Sequence, residues 1–478
     1  MFGKFLKSFP YKYQLKIIKA ALRLRGAALF MEQGTGKTLV SLGIVAERHD
    51  RGQVDIVYVL CPKSVVPVWV REIRKHMGLY PRVVTSWDEF DPYRLKYRKG
   101  KDERLIFVIM NYEHMIKRIK KIVRENSHMA IADECHKLSN RASAQSRGAH
   151  RIADRSDYRL GLTGTPMGNN EELDLWSQFK FIDSDVLGSR FGDFEDRFCR
   201  KGGWMGYKTV IRKRRVKQIH KKIKPITFRV DQDDVLDLPA EIPPQELFFE
   251  LNAKQQKLYD KMETTAVIKV GENEDKYITS GLAVTTAMKL HQITGGSVKD
   301  NDGNTHFIGN SKLRVLEDFI KYKPYKNKFL IGTNFNGDVD QVSDLLSKLK
   351  IKHLILKGGK ESDAGTIEKQ FHEDDKVKAL ICQIKAGSMG LDFTPADMTI
   401  FFSLPRSWRD FDQFKKRTRR NGQTRKTRYV YLLSEKTVDI DIYSSLQDNT
   451  DIAQNFTQSL KEKSNGSCQE NKRNKRNR

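Results

Sequence analysis

Short apolar runs recur along this chain in two separate stretches, each run followed by a segment of helical spacing. In the first stretch they are Ala27–Met31, Ile56–Leu60, Leu105–Met110, Met129–Ala132 and Tyr158–Thr163. In the second they are Phe329–Thr333, His353–Leu356, Ala379–Ile384, Met398–Leu404 and Tyr429–Leu433. Runs this short, rich in Val, Ile, Leu and Phe, read as parallel strands buried on both faces. Between them lie segments such as Asp338–Ile351, where Val339, Val342, Leu345, Leu346 and Leu349 fall on one helical stripe. Strand–helix–strand alternation predicts an α/β fold with parallel sheets flanked by helices, and its occurrence twice predicts two lobes.

The stretch between the blocks differs. Arg197–Lys224 is polar and basic, and Asp237–Pro244 carries three prolines. Residues 253–295 read as helices broken by the polar loop Gly271–Asp275. The expected division is a first lobe over 1–196, a mainly helical insertion and linker over 197–300, and a second lobe over 301–454. The polar, basic residues 455–478 have nothing apolar to pack and are expected to be disordered.

Composition narrows the partners. Lys and Arg number 87 against 60 Asp and Glu, a net charge of +27. Such a field attracts polyanions, nucleic acid first among them. The five cysteines are scattered without a CxxC pair, which argues against a disulfide framework or a zinc site and for a reducing, intracellular setting. The opening MFGKFLKSFP lacks the apolar core of a secretory leader, and no run is apolar enough to span a bilayer, so no membrane partner is expected.

The sharpest motif is FMEQGTGKT, residues 30–38, between a strand pattern and a helix pattern. Gln33, Gly34, Thr35 and Gly36 would turn their backbone amides around phosphates. Lys37 would put a point charge on the outer ones, and the Thr38 hydroxyl would ligate Mg²⁺. Met31 stands where the strict pattern has its first glycine. A phosphate loop also needs a carboxylate for the metal and a base for water. Asp133 and Glu134, at the end of a predicted strand, supply both, and His136 follows as a relay.

With these two motifs the chain resembles superfamily-2 helicases, and within them the Swi/Snf-type DNA translocases, over residues 9–440. The resemblance implies two RecA-like lobes, ATP and Mg²⁺ as cofactors, and double-stranded DNA as partner. Phe9–Gln14 looks like the family's Q motif, with Gln14 reading adenine through an amide that both donates and accepts. Cys61-Pro62-Lys63-Ser64, followed by Trp69 and Glu72, looks like motif Ia, which implies a DNA phosphate on Lys63 and Ser64. Asn111 sits where the family has a second strand-tracking turn. Arg159–Pro166, with Asn169, Asn170, Glu172 and Leu173 after it, is very similar to motif III. Thr163, Gly164 and Thr165 would there couple nucleotide state to lobe closure. Ile226–Arg229 and the residues to Pro239 resemble the segment joining the lobes.

In the second lobe, Lys357, Gly358 and Gly359 resemble the motif IV region, with nucleic-acid contacts implied for Lys357 and Gly358. Ala386–Asp392 looks like motif V, where Gly390 would approach the nucleotide and Asp392 reach the ribose. Gln413, Arg417, Arg420, Gly422 and Gln423 reproduce motif VI. Three residues apart, Arg417 and Arg420 are expected on one helix face, aimed at the γ-phosphate. The family's Trp-Asn-Pro is replaced by Arg406-Ser407-Trp408 before motif VI, Ser388 and Asp392 stand where most members carry Gly and Asn, and Cys135 replaces Ala. The compact form resembles versions found in phages and bacteria. A strand-separating DNA or RNA helicase of the same superfamily stays open. So does a non-hydrolysing nucleic-acid scaffold, although intact Lys37, Asp133, Glu134, Arg417 and Arg420 argue against it. A metabolic kinase would have no use for motifs III and VI. The basic stretch Arg212–Lys224 reads equally as a backbone contact or a solvated loop.

Overall fold

The computed structural model describes residues 5–83, 105–123, 127–167, 172–202, 208–270, 276–279, 283–322, 326–358, 364–387 and 390–448. Asn169, Asn170, Gly359, Ser388, Met389, the loop Gly271–Asp275 and the basic tail lie outside the described residues. The chain divides into two compact units, Met1–Asp237 and Leu238–Arg478.

The first unit is built on a seven-stranded sheet. In chain order its strands are β1 (Gly26–Met31), β2 (Ile56–Cys61), β3 (Arg82–Val83), β4 (Ile106–Asn111), β5 (Ser127–Asp133), β6 (Ser156–Leu162) and, after the hairpin β7 (Cys199–Gly202) and β8 (Lys208–Ile211), β9 (Thr227–Val230). The spatial order is β3-β4-β2-β5-β6-β1-β9, and every pairing is parallel. All six residues of β1 are buried, as a strand covered by helices on both faces must be.

The second unit follows the same plan with β10 (Gln245–Phe249), the hairpins β11 (Val267–Val270) with β12 (Lys276–Thr279) and β13 (Ser297–Lys299) with β14 (Thr305–Phe307), then β15 (Lys328–Thr333), β16 (His353–Leu356), β17 (Ala379–Gln383), β18 (Ala396–Phe401) and β19 (Arg428–Ser434). Its six-stranded sheet runs β10-β19-β18-β15-β17-β16, again wholly parallel. The helix Asn336–Lys348 buries Val339, Val342, Leu345 and Leu346 against it. No helix among the described residues is long and apolar enough to cross a membrane.

All ten apolar runs are strands. The segment 197–300, expected as a separate insertion, is instead shared between the units. β9 closes the edge of the first sheet, β10 forms the edge of the second, and Pro239, Pro243 and Pro244 follow directly after the division. The helices Ala253–Thr265 and Ala283–Gly295 supply Tyr259, Met262, Leu290 and Ile293 to the second core. Edge strands pair on one side and carry charged residues, so TFRV and QELFF lack the continuous apolar run that marks central strands.

Candidate nucleotide and coupling site

The predicted site residues of the first unit gather just past the C-terminal ends of its strands, where open parallel sheets bind ligands. β1 leads through residues 32–36 into the helix Lys37–Asp50. Gly34 and Gly36 have φ of 78° and 80°, the left-handed region that glycine enters at least cost. A β carbon at Gly36 would also collide with the Gln14 amide. Met31 needs no glycine, because it ends an extended strand with a buried side chain. Its carbonyl accepts a hydrogen bond from Lys37 Nζ at 2.8 Å, and the Glu32 carbonyl accepts another at 3.2 Å. The half-buried Thr38 is the second residue of the helix. The buried Thr35 hydroxyl donates to the Glu32 carbonyl at 2.6 Å, while the Gln33 side-chain oxygen is buried and accepts no hydrogen bond among the described residues.

The amide of Gln14, expected to read adenine, is turned to the back of the phosphate loop. It is 2% exposed, donates through Nε2 to the Thr35 carbonyl at 3.0 Å and accepts from the Tyr11 backbone N–H at 2.9 Å. Tyr13, which the sequence did not single out, donates its hydroxyl to the same Thr35 carbonyl at 2.8 Å. A buried amide must find partners, and here it finds them on the back of the phosphate loop.

Asp133 ends β5, buried. The Glu134 backbone N–H donates to its Oδ1 at 2.9 Å and the Trp69 indole to its Oδ2 at 2.8 Å. Burial, with Glu134 alongside, pushes its carboxyl up to about 6, and Lys37 and the Trp69 bond oppose that shift. Glu134 sits at φ 51°, the left-handed region, which turns its carboxylate out of the strand line. His136 Nδ1 lies 3.1 Å from Glu134 Oε2 and 3.1 Å from Thr163 Oγ1, and the Thr165 backbone N–H donates to that same hydroxyl at 3.1 Å. Gly164 faces the phosphate loop, where a β carbon would lie 3.4 Å from the Met31 carbonyl and 3.5 Å from Glu32 Cα. Glu134, His136, the Thr163–Thr165 turn and the phosphate loop therefore form one connected set.

Gln178, which sequence reasoning missed, ties the same turns together. Buried on the helix Leu173–Ile182, it donates through Nε2 to the Pro166 carbonyl and to Ser139 Oγ, and it accepts from the Cys135 thiol. A glutamine in a helix carries no signal of its own. Only the fold places it between two motifs.

The expected strand-contact residues differ in exposure. Lys63 is exposed and Ser64 half-buried on the turn Lys63–Val65. Asn111 is buried, and its side chain caps the helix Tyr112–Ile122 by accepting from the His114 N–H at 2.7 Å. The side chain therefore serves the helix as its cap, and the turn it closes lies at the C-terminal end of β4. In the second unit Lys357 pairs with Asp340 at 2.6 Å, and the Gly358 N–H donates to Gln383 Oε1 at 2.8 Å.

Arg417 and Arg420 are not on a helix. The helix Trp408–Lys415, which carries the buried Gln413, has ended, and both arginines lie in the turn after it. The turn is held by Gln423, whose Nε2 donates to the Thr394, Ala396 and Thr418 carbonyls, and by Gly422 at φ 101°. The two guanidinium groups nevertheless converge on the Leu391 carbonyl of the motif V segment, Arg417 at 3.3 Å and Arg420 at 2.9 Å. Arg417 is 4% exposed and Arg420 half-buried. Gly390 has φ 72°, and Asp392 closes its own turn by accepting from the Thr394 N–H at 3.0 Å.

Comparison with known proteins agrees with these motifs. The SNF2-related domain matches residues 15–295, and the helicase conserved C-terminal domain matches residues 311–422. The chain is 27% identical over 437 residues to an uncharacterized ATP-dependent helicase of Mycoplasma genitalium, covering 90% of this chain and 40% of that one. It is 25% identical over 455 residues to the ISWI chromatin-remodeling complex ATPase ISW1 of Saccharomyces cerevisiae, covering 91% and 39%. The chain thus spans about two fifths of the length of these curated relatives. Among solved structures, the Sulfolobus solfataricus SWI2/SNF2 ATPase core in complex with dsDNA is similar at 22% identity and a TM-score of 0.42, covering 92% of this chain and 91% of that one. Because the SNF2-related match alone takes in more than half of the sequence and coincides with the phosphate loop, the Asp133–His136 turn and the Thr163–Thr165 turn, the protein belongs to the SNF2-related family.

Proposed function

We propose that this protein hydrolyses ATP with Mg²⁺ to drive its own movement along double-stranded DNA. The observation that carries the reading is the connected set that runs from Asp133 and Glu134, through His136 and the Thr163–Thr165 turn, to the phosphate loop that bears Lys37. The residues fit the cofactors. The left-handed Gly34 and Gly36 leave a concave turn of backbone amides at a helix start, which suits phosphate. Thr38 and Asp133 offer the oxygen donors that magnesium takes, and its part when bound would be to offset the phosphate charge.

The residues divide the work. Lys37 exchanges the Met31 and Glu32 carbonyls for phosphate oxygens. Glu134 orients the attacking water and takes its proton. His136 passes the state of Glu134 to Thr163, so the motif III turn senses the nucleotide. Arg420 and Arg417, which converge on the Leu391 carbonyl, are the arginines that would stabilise charge on the transferred phosphate. Support for a motor comes from relatives named as ATP-dependent helicases and chromatin-remodelling ATPases. Support for DNA comes from those remodelling names and from the +27 charge.

The test measures ATPase rate with duplex DNA, single strands and RNA, and runs triplex displacement beside strand unwinding on one preparation. Greatest stimulation by duplex, with triplex displaced and strands left paired, is the expected result. Greatest stimulation by RNA, or unimpaired triplex displacement by Lys37→Ala, would sink the reading.

A further inference from the structure

Two aromatic side chains have no part in the chemistry above, yet both are bonded to Asp133 from neighbouring elements. Trp69 and Tyr112 are each 1% exposed. The Trp69 indole donates to the Asp133 carboxylate, and the Tyr112 hydroxyl donates to the Asp133 backbone carbonyl, both at 2.8 Å. An indole N–H can only donate, so it holds Asp133 Oδ2 as an acceptor. Packing alone would be met by phenylalanine at both positions, with no buried donor needing a partner.

Each ring stands on a helix that opens at a turn expected to meet nucleic acid. Lys63 and Ser64 form the turn that runs into the helix Val66–Met77, and Trp69 is the fourth residue of that helix. Asn111 caps the helix that starts with Tyr112. The strands feeding these turns are adjacent to β5: β4 pairs with β2, Cys61 lying opposite Asn111, and β2 pairs with β5. Three neighbouring strands thus deliver two turns and one carboxylate at their C-terminal ends, on the same side of the sheet. The links between them are rigid rings rather than flexible chains, so a shift of either helix start moves the hydrogen-bond donor with it.

Resting on the motor reading above, we infer that Trp69 and Tyr112 are positioning residues that pass occupancy of the two strand-contact turns to Asp133. Nucleic acid on the turns Lys63–Val65 and Asn111–Tyr112 sets the carboxylate in the pose that accepts nucleotide-bound magnesium. The DNA dependence of hydrolysis then acts partly at the metal carboxylate, through two hydrogen bonds.

Trp69→Phe and Tyr112→Phe each remove a donor and keep a ring. For both variants and the wild type, fluorescent ADP binding is measured with magnesium and with EDTA, hydrolysis with and without duplex DNA, and the thermal midpoint alongside. The expected result is EDTA-state binding equal to wild type, a magnesium-dependent gain in affinity reduced about 10-fold in Trp69→Phe, as for loss of a hydrogen bond to a charged group, and a lower fold-stimulation by DNA in both. Two results overturn the inference: both ratios unchanged, or EDTA-state binding and thermal midpoint falling in step with the rest, which marks lost packing only. Tyr112→Phe removes a single oxygen, so it carries the test on stimulation by DNA even if Trp69→Phe fails to fold. A wild type without any magnesium-dependent nucleotide binding removes the motor reading itself, and the inference with it.

Discussion

At the scale of single residues, conformation and chemistry compete at Glu134. Its left-handed backbone, φ 51°, costs a residue with a β carbon on the order of 1 kcal/mol, a cost glycine would not bear. Glu134→Gly and Glu134→Ala lose the same carboxylate and its link to His136, and both should abolish hydrolysis. Glu134→Gly should nevertheless be the more stable of the two by about 1 kcal/mol in urea unfolding. Equal stabilities would mean the backbone is not strained there. The two arginines differ in a similar way. Arg420 is half-buried and Arg417 almost wholly buried, although both bond the Leu391 carbonyl. Arg420→Ala is expected to lower kcat by about 10³-fold or more while nucleotide binding persists. Arg417→Ala should in addition lower the thermal midpoint, because it empties a buried site. Identical thermal midpoints would contradict this division of roles.

At the scale of elements, the helix Val216–Ile223 gives part of the basic stretch a fixed place on the first unit. Ile219 and Ile223 are buried in the first core, His220 pairs with Glu172 at 3.1 Å, and Lys217 and Lys221 are exposed. The basic stretch is therefore partly an ordered helix fixed to the first unit, with a cationic outer face, rather than a solvated loop. If that face meets DNA phosphates, replacing Lys217 and Lys221 with Gln should reduce the slope of log binding constant against log salt by about 2, roughly 0.9 per phosphate contact. An unchanged slope would show that the face stays in water. The central strands were legible because burial on both faces leaves continuous apolar runs. β9 and β10 were not, because an edge strand half-exposed along its length reads like loop.

At the scale of the whole molecule, each unit has its own core, and the second carries a buried ionic cluster that no motif announces. Lys312 bonds Asp439 at 2.6 Å, and His291 lies 3.7 Å from the same carboxylate group. Burial holds the His291 imidazole down at about 3, against an ordinary value of 6.5, so it is neutral in the fold. A group with a depressed folded value contributes stability above 6.5 that is lost as pH falls from there toward 3, by up to about 1.4 kcal/mol per pH unit. Asp338 is the opposite case. Burial raises its carboxyl from 3.8 to about 6, so between those values it favours the fold as pH falls. The two oppose one another in wild type, and a single variant separates them. His291→Gln should gain stability relative to wild type on going from pH 7.5 to pH 5 in urea unfolding. A difference that does not vary with pH would mean the imidazole takes up its proton in the fold as readily as in the unfolded chain.

The sequence by itself determined the two parallel α/β blocks, the phosphate loop, the acidic pair at the end of β5 and the arginines after β18. Each is written locally, as an apolar run, a glycine spacing or a fixed offset between charges. Tertiary structure decided what these residues bond to within the fold. Gln14 and Asn111 have their amides engaged in buried hydrogen bonds, Arg417 and Arg420 meet in a turn rather than on a helix, and Trp69, Tyr112 and Gln178 reach across from other elements to the motif turns. The physical reason is the same in each case. A buried donor or acceptor must be satisfied, and its partner is set by which strands are neighbours, not by which residues are near in sequence.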